Sequence, residues 1–205
     1  CALMIAAAYA LLTHTNFGSK LLYALGGLTF ILLALLTTRY HGKERKGLIA
    51  LIILVAFAVV FWAIFFEMFS VVVLFLERNV DRVMFGVQYP PTFFLSLESV
   101  FIIIIGWPLA ILWRYLHNAK KEFSIGMKFA LALLSLAVAM ESLVVAIHFH
   151  NAAFLVLPAW MFLFFLLLTL GEMLLSPNFL SAVTELSPPK IVGLMMGVQF
   201  VAIGF

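Results

Sequence analysis

Long apolar stretches separated by short polar ones constrain the fold of this chain more than any other feature. The chain is 66% hydrophobic and 10% charged, whereas soluble domains average about 45–50% and 25%. A soluble fold of this length could not bury so much apolar surface, and the period-two alternation of a transmembrane β-barrel is absent. Since a membrane-spanning helix needs about 20 mostly apolar residues, we predict an all-α, polytopic membrane protein.

Seven apolar segments divide the chain. The first is only a dozen residues long and the last stops at Phe205, so both are short of a full span. The chain has no initiator Met, and residues 1–12 lack the basic start of a signal peptide. We therefore expect it to be part of a larger protein. The segments are about 1–12, 21–38, 47–76, 93–116, 125–147, 153–176 and 188–205.

The twelve Lys and Arg residues are distributed unevenly between the two predicted membrane faces. When alternate loops are assigned to opposite faces, nine fall on one face, which the positive-inside rule makes cytoplasmic. This arrangement explains the net charge of +3 without nucleic acid as a partner. The cytoplasmic nine are Arg39, Lys43, Arg45, Lys46, Arg114, Lys120, Lys121, Lys128 and Lys190, and the other three are Lys20, Arg78 and Arg82.

No metal site is expected. The single cysteine, Cys1, excludes an internal disulfide and a cysteine-based metal site. His148 and His150 are two residues apart, so on a helix they do not form the i, i+4 pair of a chelating site.

Acidic residues inside the apolar segments are the candidate functional groups, because a charge at the centre of a membrane helix costs roughly 2.5–3.5 kcal/mol on insertion scales. Thr169, Glu172 and Ser176 share one face of a helix, a polar stripe that predicts a bundle interior or a wet cavity. Glu67 has only Ser70 as a polar helical neighbour. Each acid also has a purely structural interpretation.

Two further acids favour other roles. Glu98 lies near the outer end of its segment and could simply reach water, so a functional and a solvated role are equally open. Glu141 lies deep in the next segment beside Ser142, and we expect it to be buried and hydrogen-bonded.

Residues 169–177 and 192–197, which read TLGEMLLSP and VGLMMG, resemble the tenth and eleventh helices of the proton-dependent oligopeptide transporters. Those are the peptide-carrying branch of the major facilitator superfamily. Trp160 stands twelve residues before Glu172, as the tryptophan of that family does. Further matches keep the family's spacing over most of the chain: FWAI at 61–64, RNVD at 78–81, FLSL at 94–97, WPL at 107–109 and KFAL at 128–131.

The resemblance implies a particular organisation. Residues 1–45 would hold the helix pair inserted in prokaryotic members and a basic cytoplasmic loop. Residues 46–205 would form the C-terminal six-helix bundle of the major facilitator fold, truncated within its eleventh helix. The implied partners are the lipid bilayer and an N-terminal transmembrane bundle of the same protein, and the implied location is the cell membrane, as a multi-pass protein of the bacterial inner membrane.

The resemblance also implies symport of di- and tripeptides with protons by alternating access, without enzymatic activity and without a cofactor. The proton gradient would be the coupling force. Glu172 would bind the peptide's amino end and pair with a basic residue of the N-terminal bundle, with Ser176 nearby. Glu98 and Trp160 complete the expected substrate-binding set, and Glu67 and Glu172 are the candidates for proton transfer or gating.

The sequence departs from the family pattern where the family places functional residues. The seventh-helix Glu-Gln corresponds to Phe66–Glu67, which displaces the acid by one residue, or about 100° of helix rotation. The eighth-helix Asn-Pro is Glu98–Ser99, the tenth-helix Ser-Tyr is Phe164–Phe165, and the eleventh-helix tryptophan is Gln199. These departures leave open a second interpretation, the same fold carrying another amine-bearing or nitrogenous solute.

Two functions from other classes are disfavoured. An intramembrane enzyme would need a converging nucleophile, base or metal set, and the chain has no HExxH and no GxSxG motif. A purely structural membrane subunit would leave the acids inside the apolar segments unexplained.

Overall fold

A computed structural model describes residues 15–151 and 153–204. The predicted segment 1–12 and Phe205 lie outside the described residues. The 3-10 turns Phe66–Phe69 and Pro189–Ile191 come directly before α3 and α7. The helices are α1 (Thr15–Arg39), α2 (Gly42–Phe65), α3 (Val71–Asn79), α4 (Pro91–Asn118), α5 (Ile125–His148), α6 (Pro158–Leu186) and α7 (Val192–Ile203).

The prediction of an all-α, polytopic membrane protein is confirmed. Within the described residues, four helical stretches are long and apolar enough to cross a membrane. They correspond to the four central apolar segments, and two shorter apolar helices, Tyr23–Arg39 and Pro189–Ile203, fall in the segments that flank them. The four stretches are Gly42–Asn79, Pro91–Asn118, Ile125–His148 and Pro158–Leu186.

Residues Val60–Ala182 form one compact unit. In lipid there is little hydrophobic drive between helices, so close packing and interhelical hydrogen bonds must hold such a bundle together. Large aromatic rings fill its interior: Phe61 stacks on Phe65 at 5.8 Å between ring centroids. Phe129 meets Phe179 edge to face at 5.6 Å. Other large side chains that are fully buried in this unit are Phe94, Phe164, Phe165, Met68, Leu76, Leu136 and Met161.

Two of the spanning helices contain an interior proline, Pro108 in α4 and Pro177 in α6. Proline lacks an N–H and usually ends or kinks a helix. Helix α6 nevertheless continues past Pro177 to Leu186, ten residues beyond the end of the apolar segment at about residue 176. Next to Pro177, the Asn178 side chain donates to the Leu174 carbonyl at 2.7 Å.

A short hairpin that the sequence analysis did not predict follows α3. Strand β1 (Val83–Met84) pairs antiparallel with β2 (Val87–Gln88). Both turn residues have positive φ, +54° at Phe85 and +77° at Gly86. A two-residue hairpin turn of this hand favours Asn or Asp before Gly, so Phe85 is an unusual occupant, and its side chain is fully exposed.

The loops before α4 and before α6 are joined to each other. Val80 and Val156 form a parallel bridge, and the Asn151 side chain donates to Asp81 Oδ2 at 3.1 Å. These contacts place the two loops on the same side of the unit, as the alternating assignment of loops to membrane faces requires.

On the opposite side, the loop between α4 and α5 is held by charged contacts. Glu122 accepts from His117 Nδ1 at 3.2 Å and from Lys128 Nζ at 3.3 Å, and Lys128 also lies over the Trp113 ring. The His117 hydrogen bond, followed by the hydrogen bond and charge of Lys128, lowers the pKa of Glu122. Ser124 caps α5 by accepting from the Met127 N–H.

A second compact unit contains the described residues up to Val59 and from Val183 onward. Gly47, in the first turns of α2, packs closely against the Leu186 carbonyl at the end of α6. The helices α1 and α7 contact each other in this unit. The predicted division of the chain at residue 45 falls in the first turn of α2 and stays a prediction.

Candidate functional site

Two interactions fix α6, which carries Glu172, against α5. The Ser135 hydroxyl donates to the Leu167 carbonyl of α6 at 2.7 Å. Four residues further along α6, Gly171 packs so closely that a Cβ built on it would lie 3.0 Å from the Ala132 carbonyl oxygen and 3.3 Å from the Phe61 ring. A small residue at a helix contact lets the backbones approach, so Gly171 sets both the position and the rotation of the residue that follows it.

The carboxyl group of Glu172 meets that of Glu98 from α4. The two side chains are close enough to share a hydrogen bond. The helices that carry them also make contact at Phe94 and Phe162, whose rings lie edge to face at 6.2 Å. Both acids are substrate-binding candidates from the sequence, but their pairing could not be predicted, because the contact depends on how two separate helices pack.

The helices that carry and surround the two acids are apolar and contain no Lys or Arg near either acid in the sequence. The chain has no Lys or Arg between Arg82 and Arg114, which encloses the spanning part of α4. It also has none between Lys128 and Lys190, which encloses most of α5 and all of α6. Oε2 of Glu172 is buried and has no hydrogen-bond partner among the described residues. Two acids in such a place require a proton or a cation from elsewhere.

The polar stripe of α6 is more buried at one end than at the other. Thr169 is fully buried, and its hydroxyl has no partner within the described part of the chain. Ser176 is partly buried, one turn beyond Glu172. That the stripe lines a substrate cavity stays a prediction.

Glu67 lies in a break between α2 and α3 that the sequence analysis missed. It belongs to the 3-10 turn Phe66–Phe69, and its exposed carboxylate accepts a hydrogen bond from Ser70 Oγ at 2.7 Å. A serine that bonds a residue in its own turn competes with the regular helix, and Ser70 has a non-helical backbone. The Glu67–Ser70 pair, three residues apart, was the available signal for this break.

Trp160 lies away from the paired acids. It stands in the first turn of α6, and its ring stacks on Phe149 at 5.7 Å. Twelve residues of helix separate it from Glu172, about 18 Å at 1.5 Å per residue. If Trp160 binds substrate, as predicted, it would do so about 18 Å along the helix from Glu172.

The expectation for Glu141 was wrong. Its side chain is exposed on α5, because the buried face of that helix is formed by Phe129, Ala132, Leu136 and Ala139. Glu141 projects about 200° of helix rotation from Ala139.

Three of the positions that depart from the family pattern are buried, whereas Phe66, Glu67 and Ser99 are exposed and Glu98 is partly buried. Phe164 and Phe165 pack edge to face at 5.1 Å and are fully buried, so both rings belong to the packed interior. Gln199, in α7, is almost fully buried, and its side-chain oxygen has no partner among the described residues.

Comparison with known proteins agrees with this architecture. The sequence matches the family described as "PTR2: POT family" over residues 8–205. It is 32% identical over 162 residues to the peptide transporter YePEPT of Yersinia enterocolitica, and 32% identical over 164 residues to dipeptide and tripeptide permease A of Chromobacterium violaceum. The matches cover 78% and 80% of this chain and 32% of each relative. The chain thus spans about a third of the length of these curated relatives.

Two solved structures have the same fold. A mutant of the peptide transporter POT in complex with alafosfalin superimposes with a TM-score of 0.77 at 27% identity, covering 98% of this chain and 43% of that one. The same transporter in complex with sulfate gives a TM-score of 0.77 at 28% identity, covering 98% and 42%. The family match over residues 8–205, together with this fold, shows that the chain belongs to the POT family of multi-pass membrane transporters.

Proposed function

We propose that this chain is the C-terminal part of a symporter that carries di- and tripeptides together with protons by alternating access. The observation that carries the proposal is Oε2 of Glu172, which is buried without a partner among the described residues and lies beside a second carboxyl group within the membrane-spanning helices. An intramembrane acid in this position calls for a cationic ligand. The relatives named as peptide transporters and permeases indicate that the ligand is the amino end of a peptide.

The rest of the binding site would come from outside the chain. A peptide zwitterion also needs a cation near its carboxylate. The only Lys or Arg residues of α4, α5 and α6 are Arg114 and Lys128, and both lie near helix ends. An N-terminal transmembrane bundle of the same protein would supply that cation and the base that pairs with Glu172. By itself the chain would transport nothing.

The remaining parts of the proposal follow from the same placement. The protein would reside in the bacterial inner membrane, with the loop that contains Glu122 in the cytoplasm. Its partners would be small peptides, protons and lipid. It would catalyse no reaction and need no cofactor, because the proton gradient supplies the driving force.

A second candidate is the same fold with another amine-bearing or nitrogenous cargo. The observation in its favour is the burial of Phe164 and Phe165 at the positions of the family's Ser-Tyr. Two aromatic side chains in the packed interior offer a ligand no hydroxyl group there. Competition of uptake by a panel of amines would identify such a cargo.

Uptake by the full-length protein in liposomes tests the proposal. A labelled dipeptide is supplied with and without an inward proton gradient to the wild type, to Glu172→Gln and to Glu141→Gln. The last variant is the matched control, because it removes a membrane acid that is exposed on α5. Gradient-driven uptake that collapses in Glu172→Gln and persists in Glu141→Gln is the expected result. Absence of dipeptide uptake by a folded wild type would exclude peptide as the cargo.

A further inference from the structure

The pairing of Glu98 with Glu172 has a consequence for protons. An ionised carboxylate only accepts hydrogen bonds, and a carboxyl group donates one only when it carries a proton. The two groups lie within hydrogen-bonding reach of each other. At that separation one proton turns a repulsive contact between two like charges into a hydrogen bond.

No other titratable group of the described residues shares this contact. Each of the two carboxyl groups has the other as its titratable neighbour. Helix α5, which packs against α6, has its own acid, Glu141, on its exposed face, and Glu67 is hydrogen-bonded to Ser70 in its own turn. Any pH dependence that arises at this contact therefore belongs to the pair.

Two polar atoms near the contact between Glu98 and Glu172 lack hydrogen-bond partners among the described residues. Among the residues that the structure describes, Glu172 Oε2 is buried without a partner, and so is the hydroxyl of Thr169, a fully buried residue one turn away on the same face of α6. Buried polar atoms are nearly always hydrogen-bonded, so these atoms indicate a ligand that the chain alone does not supply.

We propose that Glu98 and Glu172 act as one pair that holds a single proton and, through its remaining negative charge, binds the ammonium group of the substrate. The inference rests on the proposed function. One carboxyl group of the pair holds the proton and donates to the other, while Glu172 Oε2 accepts from the ammonium group. The charges balance, since the singly protonated pair carries −1 and the ammonium +1. Amine and proton are thus carried on the same two side chains, and Glu98 is a residue that couples them.

The variant Glu98→Gln separates the two roles, because an amide is neutral and can donate as a protonated carboxyl does. In full-length protein in liposomes, dipeptide exchange at equal concentrations on both sides should be weakened but still measurable, since the carboxyl group of Glu172 remains to accept from the ammonium group. The number of protons carried per dipeptide, read from the membrane voltage at which net uptake stops, should fall by one. Glu141→Gln should match the wild type in both measurements.

Unchanged proton stoichiometry in Glu98→Gln, or loss of exchange by a folded Glu98→Gln protein, would overturn the inference. A readout without transport separates its failure from that of the proposed function. In infrared spectra of the purified protein, the carboxylic acid C=O stretch of the pair should be present in the wild type and should shift or disappear in both Glu98→Gln and Glu172→Gln. A wild type that shows this band but takes up no dipeptide would refute the peptide cargo and keep the shared proton.

Discussion

Gly171 should be intolerant of even one added methyl group. A Cβ at this position would lie 3.0 Å from a backbone carbonyl of α5 and 3.3 Å from the buried ring of Phe61, so neither neighbour can move freely. Overpacking a tight interior costs about 1–3 kcal/mol, whereas replacing glycine by alanine within a helix gains up to about 1 kcal/mol. We therefore expect Gly171→Ala to lower the free energy of unfolding by up to about 2 kcal/mol.

Two other glycines provide a graded comparison. At Gly106 a Cβ would meet only the flexible end of Met173 at 3.5 Å, so Gly106→Ala should be neutral or stabilising. At Gly47 it would lie 2.5 Å from the Leu186 carbonyl oxygen, so Gly47→Ala should destabilise more than Gly171→Ala. The assay is the apparent melting temperature of the full-length, detergent-solubilised protein, followed by fluorescence-detected gel filtration. If Gly171→Ala melts at or above the temperature of Gly106→Ala, the packing argument is refuted.

Three further changes test other contacts. Ser135→Ala removes a hydrogen bond between helices and should cost about 0.6 kcal/mol, whereas Ser142→Ala, whose hydroxyl bonds its own helix, should change the melting temperature less. Phe85→Asn should stabilise the hairpin by a few tenths of a kcal/mol, because Asn tolerates positive φ, and slower proteolysis of the loop would show it. The His117 hydrogen bond lowers the pKa of Glu122. The stability that this hydrogen bond contributes is therefore present above the ordinary pKa near 4.5 and is lost as the pH falls through the lowered pKa. Glu122→Gln should therefore flatten the acid side of the stability profile, and an unchanged profile would contradict this.

The spans could be predicted because the membrane leaves few alternatives. Backbone polar groups must be satisfied within a helix in lipid, so apolar length alone located α4 and α5 to within a few residues. The end of α6 could not be read from apolar length. The apolar segment stops at about residue 176, yet the helix continues to Leu186, where Phe179 and Ala182 are buried by tertiary packing.

The individual acids of the candidate site could be predicted from the sequence, but the contact between them could not. A glutamate in an apolar helix is conspicuous, so both Glu98 and Glu172 could be singled out from sequence. Their contact could not, because it depends on the rotation of α6, which the approach of Gly171 to α5 determines. The 3-10 turn at Glu67 was also missed, since neither glycine nor proline interrupts that stretch and the Glu67–Ser70 pair was a weak signal for it.

The central claim is that Glu172 binds the amino group of a peptide, and a competition measurement tests it most directly. Uptake of a labelled dipeptide by the full-length protein is challenged with the same unlabelled dipeptide, either with a free amino end or with that end acetylated. The account predicts that the free amine competes at least tenfold better in the wild type, a preference of about 1.4 kcal/mol, and that Glu172→Gln, measured by direct binding, loses this preference. Equal competition by the acetylated peptide in the wild type would contradict the account.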